Sequence, residues 1–170
     1  MLNKKEIKQL IIEHKLVEGL MDLEKQLTPN GFDITVESIS VFEETGAIDF
    51  SNKERVVPIT KKILPKKIHP QDAYGWWELQ RGAYKIKTNE TVNLGNNLVA
   101  AAFTRTSLLR MGAFTQNGVW DAGFKGKGEF ILVVENPRGI KIKQNARLIQ
   151  MIFFRVDDTE EYQGIYKNLE

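Results

Sequence analysis

Cysteine is absent from this chain, which rules out disulfides, thiolate nucleophiles and any zinc site built on sulfur. Histidine is nearly absent: His14 and His69 lie far apart, with no second ligand at a metal-like spacing, and read as surface or helix-end residues. No apolar run approaches the roughly 20 residues of a membrane span, so a soluble protein without a membrane partner is expected. A charge excess of one sign is also missing. Lys and Arg number 24 against 22 Asp and Glu, a net +2 that is too small for a protein that coats nucleic acid. Lys61-Lys62 and Lys66-Lys67 read as solvated loops. The start, Met1 to Glu6, is not followed by the uninterrupted apolar segment of a secretory signal, so a cytoplasmic location is expected.

What the chain does have is one helix signal followed by many strand signals. Asn3 stands three residues before Glu6, a capping-box spacing, and Ile7, Leu10, Ile11 and His14 follow at helical intervals. Thr28-Pro29-Asn30-Gly31 is a turn signal, after which Phe32, Ile34 and Val36 alternate with polar residues. Further strands are expected over 56–59, 76–79, 84–87, 98–104, 129–135, 140–142 and 148–156. Beyond residue 30 the reading is strand and turn throughout, with no recognition helix for DNA. The 170 residues fit a single domain, 1–170, with an all-β architecture: a distorted β-barrel or jelly roll carrying a short N-terminal helix.

Four segments carry candidate chemistry. Pro29 to Asp33 is a turn that delivers a carboxylate at the start of a strand, although turn geometry alone favours Asp there. Thr104 to Gly112 ends an apolar strand in Arg105, Thr106, Ser107 and Arg110, the guanidinium and hydroxyl donors that phosphate requires; a plain polar strand end is the alternative. Asn117 to Gly126 brackets Asp121 and Phe124 with glycines. A tight arm of this kind lets the backbone approach a planar base, and bulk at Gly118 would obstruct it; Asp121 can orient a water and Phe124 can stack on a sugar, while an ordinary hairpin explains the same residues. Ala146 to Phe154 is an apolar strand interrupted by Gln150, an amide that needs partners if buried.

In their order and spacing these segments resemble the motifs of the trimeric dUTPase and dCTP deaminase superfamily, across nearly the whole chain. The resemblance implies the following roles. Asp33 contacts hydrated Mg2+ through water. Arg105, Thr106, Ser107, Arg110 and Gln150 bind phosphates, with Thr106 replacing the family's first serine. Asp121 activates water. Phe124, in place of the tyrosine usual in dUTPases, stacks on deoxyribose, and the backbone of Asn117, Gly118, Val119 and Trp120 selects the base. Tyr162, Gln163 and Tyr166 lie in a tail, 157–170, that closes over the nucleotide and lacks the glycine-rich phosphate loop of typical dUTPases. A homotrimer is implied, its active sites shared between subunits, with one subunit's tail covering another's site.

The deaminases of the family use a glutamate on the strand after the third motif. That position aligns here with Ile131 or Leu132, neither of which can transfer a proton; Glu129 and Glu135 are the nearby carboxylates, and a bulge could turn Glu129 toward the site. The resemblance therefore implies dUTP hydrolysis to dUMP and diphosphate. A dCTP deaminase, a bifunctional enzyme and a non-catalytic nucleotide-binding relative remain as alternatives.

Overall fold

The computed structural model describes residues 1–167. The first helix, α1 (Lys4–His14), begins at the expected cap. Asn3 Oδ1 accepts from the backbone N–H groups of Lys5 and Glu6, and the Glu6 carboxylate accepts from Asn3 N–H at 3.0 Å. Leu2 and Ile7, on either side of this box, are both buried, as in a hydrophobic staple. After the short strand β1 (Val17–Glu18) and one turn of helix, α2 (Leu23–Gln26), comes a hairpin of β2 (Leu27–Thr28) and β3 (Gly31–Phe42). Thr28 pairs with Gly31, which makes Pro29-Asn30 a two-residue loop.

The remaining strands are β4 (Thr60–Lys62), β5 (Trp76–Leu79), β6 (Gly82–Asn93), β7 (Leu98–Thr104), β8 (Ala113–Gln116), β9 (Lys125–Val134), β10 (Ile140–Lys143) and β11 (Arg147–Arg155). The main sheet runs β7-β11-β3-β6-β9-β8, with β1, β2 and β4 added at its margins, and β5 pairs with β10 in a small second sheet. The two ends of the main sheet meet. The Thr104 hydroxyl on β7 accepts from Thr115 N–H on β8 at 2.8 Å, and the Asn117 amide donates to Ala102 O at 3.3 Å. The result is a nearly closed barrel. Its interior is filled by the alternate side chains that period-2 patterning predicts: Phe32, Ile34 and Val36 from β3, Phe130, Leu132 and Val134 from β9, and Ile149, Met151 and Phe153 from β11.

Two expectations are corrected. Residues 56–59 do not form a strand: only Val56 makes a bridge, to Ala47, and pairing resumes at Thr60. Pro58 lacks the N–H that a ladder needs, and Val56, Val57 and Ile59 are exposed. The reading of strand and turn throughout beyond residue 30 fails at a third helical segment, α3 (Thr106–Arg110), where Leu108 turns into the core and Gly112, at φ +76, releases the chain into β8. Among the described residues, no helix is long and apolar enough to cross a membrane.

Candidate active site

The arm between β8 and β9 is anchored on β7 by Trp120. Trp120 exchanges both backbone hydrogen bonds with Ala100 on β7, each 2.9 Å, and its ring is buried above Gly128, where an added Cβ would lie 3.1 Å from the indole. These backbone bonds anchor the arm, and Trp120 also lines the cavity that holds Asp121. Gly118 and Val119 keep the opening, since no hydrogen bond to either backbone occurs among the described residues. A Cβ at Gly118 would meet nothing within 4 Å. Packing within the chain therefore does not require glycine there, and any obstruction would be felt by a ligand. Asn117 turns its amide to Ala102 and helps close the barrel seam.

Beyond Trp120 the chain makes a tight turn, in which Phe124 N–H donates to Asp121 O at 3.1 Å. The turn leaves the Asp121 side chain exposed at the rim of a cavity of about 360 Å³ and tucks the Phe124 ring into its wall. Tyr162 lies against Phe124, with ring centroids 5.8 Å apart and planes tilted by 56°. β9 supplies Lys127, Glu129 and Ile131 to the same cavity, while Leu132 points into the core. The deaminase glutamate position is thus filled by Ile131. Glu129 reaches the cavity through ordinary strand alternation, because the register break lies on β6 between Lys87 and Thr91 and not on β9. It is paired with Lys85 at 3.1 Å. Glu135 pairs with Arg81 at 2.7 Å and does not line the cavity.

The tail packs on its own chain. Val156 and Thr159 donate to Asn97 O and Asn96 O, and Tyr162 N–H donates to Ala122 O at 2.8 Å. Gly123, at φ +73, is needed here, because a Cβ would come within 2.8 Å of Glu161. Tyr162 and Tyr166 line the cavity; Gln163 is exposed and does not. The last three residues of the expected 157–170 tail lie outside the described residues.

The phosphate candidates form a second cluster. Arg105 leaves the end of β7 and meets Asp33, its Nε 2.9 Å from Oδ2; Arg147 Nη1 approaches the same oxygen at 3.3 Å. Arg105 also donates to Arg147 O at 3.2 Å, and Arg147 donates to Lys25 O. Asp33 is only 3% exposed as a side chain. Burial pushes its carboxyl up, opposed by Arg105 first and Arg147 second. Thr106, Ser107 and Arg110 are exposed on α3. Gln150 sits across from Asp33 in the β3–β11 ladder and donates to the Thr28 hydroxyl at 2.7 Å.

The Asp33 carboxylate is already met by two guanidinium groups, and no group of three or more His, Cys, Asp or Glu among the described residues could hold a metal ion. The residues present do not fit a resident metal site.

None of Asp33, Arg105, Ser107, Arg110 and Gln150 lines the cavity that holds Asp121. The two clusters stand toward opposite ends of β7: from Ala100, beside Trp120, to Arg105 is five residues, roughly 16 Å along a strand.

Sequence reasoning missed a third group, directly behind the arginines. Glu90 is fully buried, and its carboxylate accepts from Gln26 Nε2 (2.6 Å), Thr35 N–H (2.9 Å) and the Thr35 hydroxyl (2.6 Å). Burial pushes the Glu90 carboxyl up against these hydrogen bonds. A signal did exist: Glu90 falls in phase with Tyr84, Ile86 and Val92 on the buried face of β6.

A nearly closed barrel with an apolar cavity whose mouth holds a carboxylate unpaired among the described residues, and a recessed aromatic ring, defines a class of small-molecule site, with a separate arginine cluster suited to anions. The chain belongs to the dCTP deaminase-like family, which matches residues 1–156. It is 42% identical to the "Probable deoxyuridine 5'-triphosphate nucleotidohydrolase" of Methanosarcina mazei, over 99% of this chain and 96% of that protein. It is 39% identical to the protein of that name from Archaeoglobus fulgidus, over 98% and 95%. The "Deoxyuridine 5'-triphosphate nucleotidohydrolase" of Methanocaldococcus jannaschii is 36% identical, over 85% and 88%. Among solved structures, the 2'-deoxycytidine 5'-triphosphate deaminase of Agrobacterium tumefaciens superimposes with a TM-score of 0.63 at 17% identity. The match covers 92% of this chain and 48% of that one, so this chain spans about half the deaminase's length and shares its fold.

Proposed function

We propose that this protein hydrolyses dUTP to dUMP and diphosphate. The observation that carries the reading is Asp121, a carboxylate unpaired among the described residues, at the mouth of a cavity whose wall includes the Phe124 ring. The names of the Methanosarcina, Archaeoglobus and Methanocaldococcus relatives support the substrate. In this reading the uracil enters beside the free backbone groups of Gly118 and Val119, the deoxyribose rests on Phe124, and Asp121 accepts the proton of a water attacking the α-phosphorus. Arg105, Arg110, Ser107 and Gln150 hold the phosphates. Asp33 fixes Arg105 by charge and hydrogen bonding rather than by contact with metal. Magnesium is expected to arrive on the triphosphate, where it offsets phosphate charge.

The separation of the two clusters within one chain supports a homotrimer, in which the arginine cluster of one subunit faces the Asp121 cavity of the next. The assembly further expects a neighbour's tail over the site, although Tyr162 and Tyr166 here lie on their own chain's cavity.

Incubation with the panel of deoxynucleoside and ribonucleoside triphosphates plus magnesium tests the function, with diphosphate and ammonia measured separately. Diphosphate from dUTP alone is expected; no turnover of dUTP would refute the reading. One observation favours a second reading, a bifunctional enzyme: Glu129 does reach the cavity. Release of ammonia from dCTP, abolished by Glu129→Gln, would establish it.

A further inference from the structure

We infer that Glu90 is a positioning residue for the phosphate site, acting through β3 and Asp33 to set the Arg105 guanidinium. The inference rests on the assignment of Arg105 to the phosphates made above.

The hydrogen-bond polarity around Glu90 is fixed from outside. Gln26 Oε1 accepts from the backbone N–H groups of Met21 and Asp22 at 2.8 and 2.9 Å, so the amide nitrogen must face the other way. That nitrogen donates both to Glu90 and to Asp33 O, the latter at 2.9 Å. The Thr35 hydroxyl accepts from Asn89 Nδ2 at 2.8 Å, so its proton is directed to Glu90. The third partner, Thr35 N–H, can only donate. All three neighbours therefore present hydrogen to the carboxylate, and Glu90 is the single acceptor on which they converge.

The contacts from this acceptor lead to one place. Through Gln26 it ties the carbonyl of residue 33, and through Thr35 it ties the backbone and side chain of residue 35. Asp33, between these ties and the solvent, carries Arg105 and Arg147 on one oxygen. Arg147 is linked in addition to Lys25 O, one residue before Gln26. A buried carboxylate costs free energy unless its hydrogen bonds are satisfied. Here all those bonds serve the short stretch of β3 that aims the arginine. Plain core filling would be met by an apolar residue at position 90, in keeping with its neighbours on that face.

Glu90→Gln preserves size but turns one acceptor into a donor facing donors. The expected result is a folded protein whose Kd for a non-hydrolysable imido analogue of dUTP rises on the order of tenfold, with deoxyuridine affinity changed less than about twofold. In an Arg105→Ala background the same change should add almost nothing, because its route has been removed. Thr35→Val, which deletes one donor and keeps shape, should give a smaller loss in the same direction, and it tests the inference if Glu90→Gln does not fold. Equal losses for the analogue and for deoxyuridine, or full additivity with Arg105→Ala, would overturn the inference and leave Glu90 a structural residue. If Arg105→Ala itself spares analogue binding, the phosphate assignment fails instead.

Discussion

Arg105→Ala is expected to destabilise the fold as well as weaken phosphate binding, because Asp33 depends on it. Asp33 is 3% exposed as a side chain, with Arg105 at 2.9 Å and Arg147 at 3.3 Å on the same oxygen. Removing the only partner of a buried ion costs roughly 3–5 kcal/mol. Arg147 remains at the longer distance, so about half of that, ~2 kcal/mol, is expected. Urea unfolding at fixed protein concentration measures it, and with a slope of about 2 kcal/mol per molar the midpoint should fall by about 1 M. The control is the double change Asp33→Asn with Arg105→Ala. Once the buried charge is gone the missing guanidinium matters less, and about half of the lost stability should return. An Arg105→Ala midpoint within error of the unmodified protein would refute the argument, and so would a double variant no more stable than the single one.

Asp121→Asn should lower turnover of dUTP by roughly 10²–10⁴-fold while leaving calorimetric affinity for the imido analogue within a few-fold. If sites are shared between subunits, Asp121→Asn and Arg105→Ala chains that are each inactive should regain activity when unfolded together and reassembled; a mixture as dead as its parents would count against the trimer. Chelation with EDTA should stop turnover yet leave the thermal midpoint unchanged, since the described residues form no metal cage; a drop in midpoint would reveal a resident ion. Burial raises the folded value for Glu90, so its neutral form is favoured by the fold, and this stabilisation is complete below about pH 4.5 and lost as pH rises through the folded value. Unmodified protein should therefore lose stability relative to Glu90→Gln over that rise, as measured by urea midpoints at a series of pH values.

Local rules made the barrel legible. The Asn3 and Glu6 spacing fixes the start of α1, and alternation in Phe32-Asp33-Ile34-Thr35-Val36 fixes the entry of β3. Local rules also misplaced what depends on neighbours far along the chain. Asp33 is a turn-adjacent acid by sequence, and only tertiary packing brings it between Arg105 and Arg147. Trp120 is a motif residue by sequence, but its backbone pairing with Ala100, twenty residues earlier, is tertiary and no spacing announces it. Pro58 ended an expected strand by a rule that was available from its residue type alone. Glu90 is different again: a charged residue in phase with an apolar face is visible in the sequence, but its meaning lies in Gln26 and Thr35, which no spacing connects to it.

The segment that carries the arginine cluster also carries three of the large apolar side chains that the chain leaves in water. Phe103 is 58% exposed, Leu109 53% and Met111 49%, and they share one short stretch with Arg105, Ser107 and Arg110. An arginine that must grip phosphate strongly needs low-dielectric surroundings, and α3 alone cannot provide them, since Arg110 stands exposed and without a partner among the described residues. In the proposed trimer, one event answers both needs. Burying Phe103, Leu109 and Met111 against a neighbour supplies association energy, and the same contact removes water from the guanidinium groups as they reach the neighbour's cavity. Replacing Phe103 with Ser should therefore reduce sedimentation to that of a monomer and turnover with it; a fully active monomeric variant would separate the two and dismiss the coupling.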